Sequence, residues 1–166
     1  MPRTPIQGLA FLLGFWLALS LAPWASAAET AAPYAELEAR LHHAVNEVRS
    51  GAHLIPLERR ADLDAVARAH SLDMAHRGYF AHENPEGEIA VHRLERASVG
   101  DYTLAAENLG STSKNDPTRE IVNAWLASPV HRQNLFVPPF NATGIGIARA
   151  ADGSLLYTQV YVTYPR

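Results

Sequence analysis

Two stretches in the first half of the chain place apolar residues three and four positions apart. Residues at this spacing lie on one face of an α-helix, so both stretches predict helices that bury one face. The first helix starts near Tyr34, and Gly51 is a stop signal for it. The second runs from about Asp62 to Arg77 and ends at Gly78. The apolar face of the first helix consists of Tyr34, Leu37, Leu41, Val45 and Val48.

Three shorter helices are predicted further along the chain. Asp116-Pro117 and Ser128-Pro129 each place a capping residue before a proline, which is a common start of a helix. The second of these helices carries His131 in its first turn. A short helix is also predicted over residues 88–97. The apolar face of the helix after Pro117 consists of Ile121, Val122, Trp125 and Leu126.

β-Strands are predicted over residues 102–110 and in two segments near the carboxyl end that flank Asp152-Gly153. Asp-Gly is a strong signal for a two-residue hairpin turn, which predicts that Ile145 lies opposite Val160. Both faces of this hairpin are apolar, so helices should cover the sheet on both sides. The sequence therefore predicts an α+β fold. We expect a three-layer α-β-α sandwich in which a central, largely antiparallel sheet has helices on both faces.

The amino-terminal stretch has the pattern of a secretory signal peptide. Arg3 precedes an apolar run over residues 9–21, and Ala25-Ser26-Ala27 fits a cleavage site. The run is too short for a comfortable transmembrane helix, so we expect no stable membrane anchor after cleavage. The protein is therefore expected to be secreted or periplasmic. The predicted organisation is a signal peptide over residues 1–27, a linker over 28–36 and one domain over 37–164.

Composition excludes several kinds of chemistry and partner. The chain of 166 residues has a formal net charge of −3, which does not indicate a nucleic-acid partner. It contains no cysteine, so disulfides, thiol catalysis and cysteine-ligated metals are excluded. Lys114 is the only lysine, which leaves little room for a lysine nucleophile. We expect a monomer whose stability comes from packing.

His82 and Glu107 stand out by their surroundings, although His82 taken by itself indicates a loop histidine rather than a metal ligand. His82 follows an aromatic pair in the loop segment YFAHENPEGE. That segment does not form an H-E-x-x-H zinc helix, since Pro85 breaks the helix and Glu86 stands in the place of the second histidine. Glu107 lies within an apolar strand, where a carboxylate is costly to bury without a partner. Either backbone amides satisfy it, or it faces a cleft or a cationic group.

Ser128 and His131 are a second pair of candidates. A serine needs a base and the base an orienting acid, so a Ser128–His131–Glu107 triad is chemically possible. However, serine before proline is a routine helix cap, and the chain has no G-x-S-x-G elbow. We rank a serine hydrolase last among the functions considered.

Six segments together resemble the CAP superfamily, which comprises cysteine-rich secretory, antigen 5 and plant pathogenesis-related 1 proteins. They are FAH, NPEG, AENLG, AWLASPVHRQNL, TGIGIA and YTQVYV, and they occur in this order. The chain looks most like the disulfide-free bacterial branch, often called SCP domains. The resemblance implies an α-β-α sandwich with an open cleft that holds two histidines and two acidic residues. By their motifs, His82, Glu107 and His131 match three of these, and Ser128 stands in place of the second acid.

The resemblance also implies a metal, a ligand and a range of functions. Some relatives bind zinc through the two histidines, which here are His82 and His131, and we expect only weak binding because Ser128 replaces a carboxylate. Glu107 would then be a third ligand or orient a water. The expected function is a secreted, non-enzymatic binding module for a cell-envelope, lipid or protein ligand. The alternative is a metal-assisted hydrolase in which Glu107 activates a water. A third possibility is that these residues only brace the loops.

Overall fold

The computed structural model describes residues 33–166, which form five helices and four strands. The predicted signal peptide and residues 28–32 of the predicted linker lie outside this part. Within it, no helix is both long and apolar enough to cross a membrane. The elements are α1 (Ala35–Gly51), β1 (Glu58–Arg59), α2 (Ala61–Arg77), α3 (Ala90–Arg96), β2 (Leu104–Thr112), α4 (Pro117–Ala127), α5 (Pro129–Phe136), β3 (Ala142–Arg149) and β4 (Leu155–Thr163).

The four strands form one sheet in the order β1-β3-β4-β2. Strand β1 runs parallel to β3, and the other neighbours are antiparallel. Helices α1, α4 and α5 pack on one face of the sheet, whereas α2 and α3 pack on the other. This arrangement confirms the predicted α+β sandwich of three layers. The two-residue strand β1 is not predicted by the sequence pattern.

The predicted hairpin register is wrong by one residue. Ile145 lies opposite Gln159 rather than Val160. The turn contains three residues, since the N–H of Ala150 donates to the carbonyl of Ser154 at 2.9 Å and Gly153 takes a positive φ of 86° as the last loop residue. Three-residue loops commonly end in such a left-handed residue. A shift of one residue moves side chains to the opposite face of the sheet.

The helix boundaries agree with the predicted signals. Gly78 ends α2 with a left-handed φ of 68°. Asp116 caps α4, because its side chain accepts a hydrogen bond from the N–H of Arg119 at 3.3 Å. These two signals work because each depends on residues close in sequence.

Helix α2 touches the backbone of β3 at two glycines. A Cβ atom at Gly144 would lie 2.0 Å from the backbone of Leu63, and one at Gly146 would lie 2.1 Å from the backbone of Arg68. No side chain fits at either position, so the glycines set how closely α2 approaches the sheet. Ser71 of α2 then donates from its hydroxyl to the carbonyl of Gly146 at 3.0 Å.

Arg49 joins the end of α1 to two connecting segments. Its guanidinium is fully buried and donates to the carbonyls of Ile55, Leu135, Val137 and Phe140 at 2.9–3.1 Å. Burial lowers the pKa of Arg49, because the charged form loses its hydration. The four carbonyls replace that hydration and hold these segments against the same helix.

Replacing Gly146 with alanine should destabilise the protein by about 3 kcal/mol or more, because α2 must move away from β3. Urea unfolding followed by circular dichroism measures the loss. The control is Gly51→Ala, since a Cβ at Gly51 meets nothing within 4 Å. Equal midpoints for the two variants would contradict the close approach of α2 and β3.

Candidate functional site

Glu107 is the centre of the candidate site. It lies on β2 with a side chain that is only 4% exposed, and both carboxylate oxygens are engaged. Oε1 accepts from Nδ1 of His82 at 2.8 Å, and Oε2 accepts from Nη2 of Arg93 at 2.8 Å. Because a carboxylate only accepts, Nδ1 of His82 carries the proton in this contact. The structure therefore brings the predicted residues His82 and Glu107 together.

Arg93 of α3 is the cationic partner that a carboxylate within an apolar strand requires. Its side chain is 4% exposed, and its Nη1 also donates to the carbonyls of His82 and Glu88 at 3.1 and 2.8 Å. One guanidinium therefore joins the sheet, α3 and the loop that carries His82. Arg93 was not predicted from the sequence, because arginine is ordinary in a short helix. The buried carboxylate of Glu107 requires a cationic partner, and this requirement is the one signal that pointed to an arginine.

His70 closes the cluster from α2. It is 1% exposed, its Nε2 lies 3.1 Å from the carbonyl of Ala81, and the same nitrogen lies 4.0 Å from Glu107. Burial lowers the pKa of His70, and the attraction of Glu107 only partly opposes this shift. The neutral ring donates to a backbone carbonyl, as expected for a core histidine.

His131 lies in the first turn of α5 and faces His82. Their ring centroids are 6.5 Å apart, and the ring planes are inclined by 51°. Partial burial lowers the pKa of His131, and the nearby His82 lowers it further. The neutral form of His131 is thus favoured. His82 is the accessible member of the cluster, with 52% of its side chain exposed.

Ser128 lies at the junction of α4 and α5. It occupies the N-cap position of α5 as predicted, but its side chain makes no capping hydrogen bond there. Its carbonyl accepts from the N–H of Arg132 at 2.8 Å. Ser128 therefore occupies the predicted cap position, but the capping hydrogen bond expected of its side chain is absent. The acid–histidine contact of the predicted triad is absent, because the oxygens of Glu107 bond to His82 and Arg93 and not to His131.

Polar side chains brace β2 next to the cluster. Asn134 donates to the carbonyl of Glu107 at 3.2 Å and to Oδ1 of Asn108 at 2.9 Å. Asn108 in turn donates to the carbonyl of His131 at 3.0 Å. Because these contacts join α5 to β2, they fix His131 relative to Glu107. Asn134 is thus a bracing amide.

A second concave surface, which we name the helix groove, lies between α1 and α4. It has a volume of about 740 Å³. On α1 it extends from Glu36 to Val48, which corresponds to about 18 Å at 1.5 Å per residue. Apolar walls lie between charged rims. The apolar lining residues are Ala39, Ala44, Val48, Val122 and Leu126, and the charged ones are Glu36, Arg40, His43, Glu47, Asp116 and Arg119.

The family model of the cysteine-rich secretory protein family, CAP, matches residues 42–163. The chain belongs to the CAP family. This CAP domain is 31% identical over 125 residues to the uncharacterized protein YkwD of Bacillus subtilis, a match that covers 75% of this chain and 46% of YkwD. The chain therefore spans less than half the length of that relative. These findings confirm the predicted family, with bacterial relatives and a cysteine-free sequence.

Solved structures agree with this assignment. The CAP domain resembles an extracellular protein containing an SCP domain from Bacillus anthracis, with a TM-score of 0.66 and 30% identity over 76% of this chain and 40% of that one. It also resembles an outer surface protein from Borrelia burgdorferi, with a TM-score of 0.72 and 21% identity. That likeness covers 80% of this chain and 96% of the other, and it shows the fold alone.

Replacing Glu107 with glutamine should destabilise the CAP domain by about 3 kcal/mol, because Arg93 loses its buried counter-charge. Urea unfolding at pH 7 measures the difference. The matched control is Glu83→Gln, an exposed residue in the loop that carries His82. If both variants unfold at the same urea concentration, Glu107 does not have the central position described above.

Proposed function

We propose that this CAP domain works outside the cytoplasm as a non-catalytic binding module for a single-chain lipid, with the acyl chain in the helix groove. The observation that carries the proposal is the shape and lining of the groove. It follows α1 for about 18 Å and combines apolar lining residues with exposed charged ones. An amphiphile fits this arrangement, since its chain would leave water while its head stays at the rim.

The rim offers groups for a carboxylate head. Arg40 pairs with Glu36 at 3.4 Å and Arg119 pairs with Asp116 at 3.2 Å, and all four side chains are more than half exposed. Exposed pairs of this kind contribute little, so either arginine can turn to another acceptor. No Phe, Tyr or Trp lines the groove, so the large rings on which a sugar would stack are missing from its described lining.

The state of Glu107 favours binding over catalysis. A general base needs a free lone pair directed at the proton that it takes. Both oxygens of Glu107 are already bonded, to His82 and to Arg93, and the side chain is almost fully buried. Because the side chain is almost fully buried, the remaining lone pairs of Glu107 have little access to a water. The same contacts suit a residue that orients His82.

An extracytoplasmic location agrees with the amino-terminal signal pattern and with the location of one relative. The similar Bacillus anthracis protein is described as extracellular. The predicted secretion of this chain remains a prediction, since the residues that carry the signal pattern lie outside the described part.

Lipid binding is tested with cis-parinaric acid, a fatty acid that fluoresces when it enters an apolar site. The wild-type CAP domain should show saturable binding. Ala39→Phe fills the groove from an exposed position and should weaken binding about tenfold, which corresponds to about 1.4 kcal/mol. Ala61→Phe, an exposed alanine at the start of α2, is the matched control and should bind like the wild type.

Two results would contradict lipid binding in the helix groove. One is the absence of saturable fluorescence with the wild type. The other is equal affinity of Ala39→Phe and Ala61→Phe, which would place the fatty acid elsewhere.

The second candidate is a metal-assisted hydrolase, and the facing pair of His82 and His131 favours it. When bound to one zinc ion with Zn–N distances of about 2.0–2.1 Å, two imidazoles have ring centroids about 5 Å apart. The observed 6.5 Å would need only small side-chain rotations, so the pair fits zinc as two of its ligands. Zinc would polarise a bound water there. Among residues 33–166, no three His, Cys, Asp or Glu side chains form a metal-binding group.

Zinc calorimetry with an esterase assay tests this alternative. We expect weak one-site binding that the His82→Ala/His131→Ala double variant loses, because two ligands hold zinc poorly. His76→Ala/His92→Ala removes two exposed histidines elsewhere and should bind zinc like the wild type. No hydrolysis of p-nitrophenyl acetate above the zinc-free rate is expected. Zinc-dependent hydrolysis that the first double variant lost would favour the hydrolase instead.

A further inference from the structure

A separate cavity, which we name the charged pocket, lies between α2, α3 and the loop over residues 84–88. Its volume is about 490 Å³, within the range of small-molecule sites. It shares His70 and Arg93 with the cluster around Glu107, but neither His82 nor His131 lines it. It shares no residue with the helix groove. The lining residues are Ala65, Val66, Ala69, His70, Asp73, Arg77, Asn84, Glu86, Glu88, Arg93, Arg96 and Ala97.

Charges of both signs surround the charged pocket in equal number. Arg77, Arg93 and Arg96 contribute positive charge, and Asp73, Glu86 and Glu88 contribute negative charge. Burial lowers the pKa of His70, so its neutral form is favoured. A pocket with balanced charge gives no advantage to a simple anion or cation.

Two ion pairs fasten the loop across the charged pocket. Arg77 of α2 binds both oxygens of Glu86 at 2.6 and 2.7 Å. Arg96 of α3 binds Glu88 at 2.5 Å. The loop is also held from within, because Asn84 accepts from the backbone N–H groups of Glu86 and Glu88 at 3.1 and 2.8 Å. The opposing charges are therefore positioned before any ligand arrives.

These groups keep unused hydrogen-bonding capacity. Arg96 contacts Glu88 through Nη1 alone, which leaves its other N–H groups for an acceptor. Each carboxylate can accept more hydrogen bonds than it receives. Donors and acceptors for a second polar molecule are thus present on the same walls.

The remaining walls are apolar. Ala65, Val66 and Ala69 lie on α2, and Ala97 follows α3. A ligand with a positive end, a negative end and a small apolar side chain matches these walls. We propose that the charged pocket binds a short zwitterionic peptide, with its carboxylate at the arginines and its ammonium group at the acidic residues.

Calorimetric titration with the dipeptide L-alanyl-L-leucine tests this site. The wild type should bind it saturably, and acetylating its amino end or amidating its carboxyl end should each weaken binding at least tenfold. Ala69→Phe fills the pocket from an exposed position and should abolish binding, whereas Ala61→Phe on the same helix should not. Ala39→Phe, in the helix groove, should bind the dipeptide normally.

The proposal is overturned by any of three results: no saturable binding by the wild type, equal binding of the free and blocked dipeptides, or equal binding by Ala69→Phe and Ala61→Phe. Fatty-acid binding by the same variants is a separate measurement of the helix groove, since Ala39 does not line the charged pocket. A negative binding result for one site therefore does not change the interpretation of the result for the other.

Discussion

Glu107 carries a negative charge into a strand whose surroundings are largely apolar, and Arg93 balances that charge inside the protein. Removing a carboxylate and a guanidinium from water costs several kcal/mol per ion, which is recovered only when hydrogen bonds and geometry are good. Here the same guanidinium also holds the carbonyls of His82 and Glu88. The position of the loop between α2 and α3 therefore depends on this ion pair, and so does the orientation of His82.

The free edge of the sheet is closed by side chains. The carbonyl of Leu109 accepts from the indole N–H of Trp125 at 2.7 Å, and that of Glu107 accepts from Asn134. Open strand edges invite pairing with other chains. Because α4 and α5 supply these donors, the segment that fixes His131 also protects the edge.

Most of the correct predictions rest on sequence signals that involve residues close together in the chain. The helix ends at Gly78 and Asp116 and the layered fold were predictable, because caps and periodicity depend on residues a few positions apart. The hairpin register was not, since a two-residue and a three-residue turn around Gly153 have the same sequence signature. His82 and Glu107 were predicted as site residues from the family motifs. Their partner Arg93 was not, because 14 positions separate it from Glu107 and nothing local marks the contact.

Arg49 links distant segments of this chain, as a disulfide bond does in many exported domains. It holds segments that are up to 91 positions apart, through four hydrogen bonds and without any cysteine. Such a clamp forms as soon as the chain folds and needs neither an oxidant nor an isomerase. Its strength is also independent of the surrounding thiol–disulfide potential. The same native state is thus accessible in reducing and in oxidising compartments, and reductants that unfold disulfide-linked domains leave this one intact.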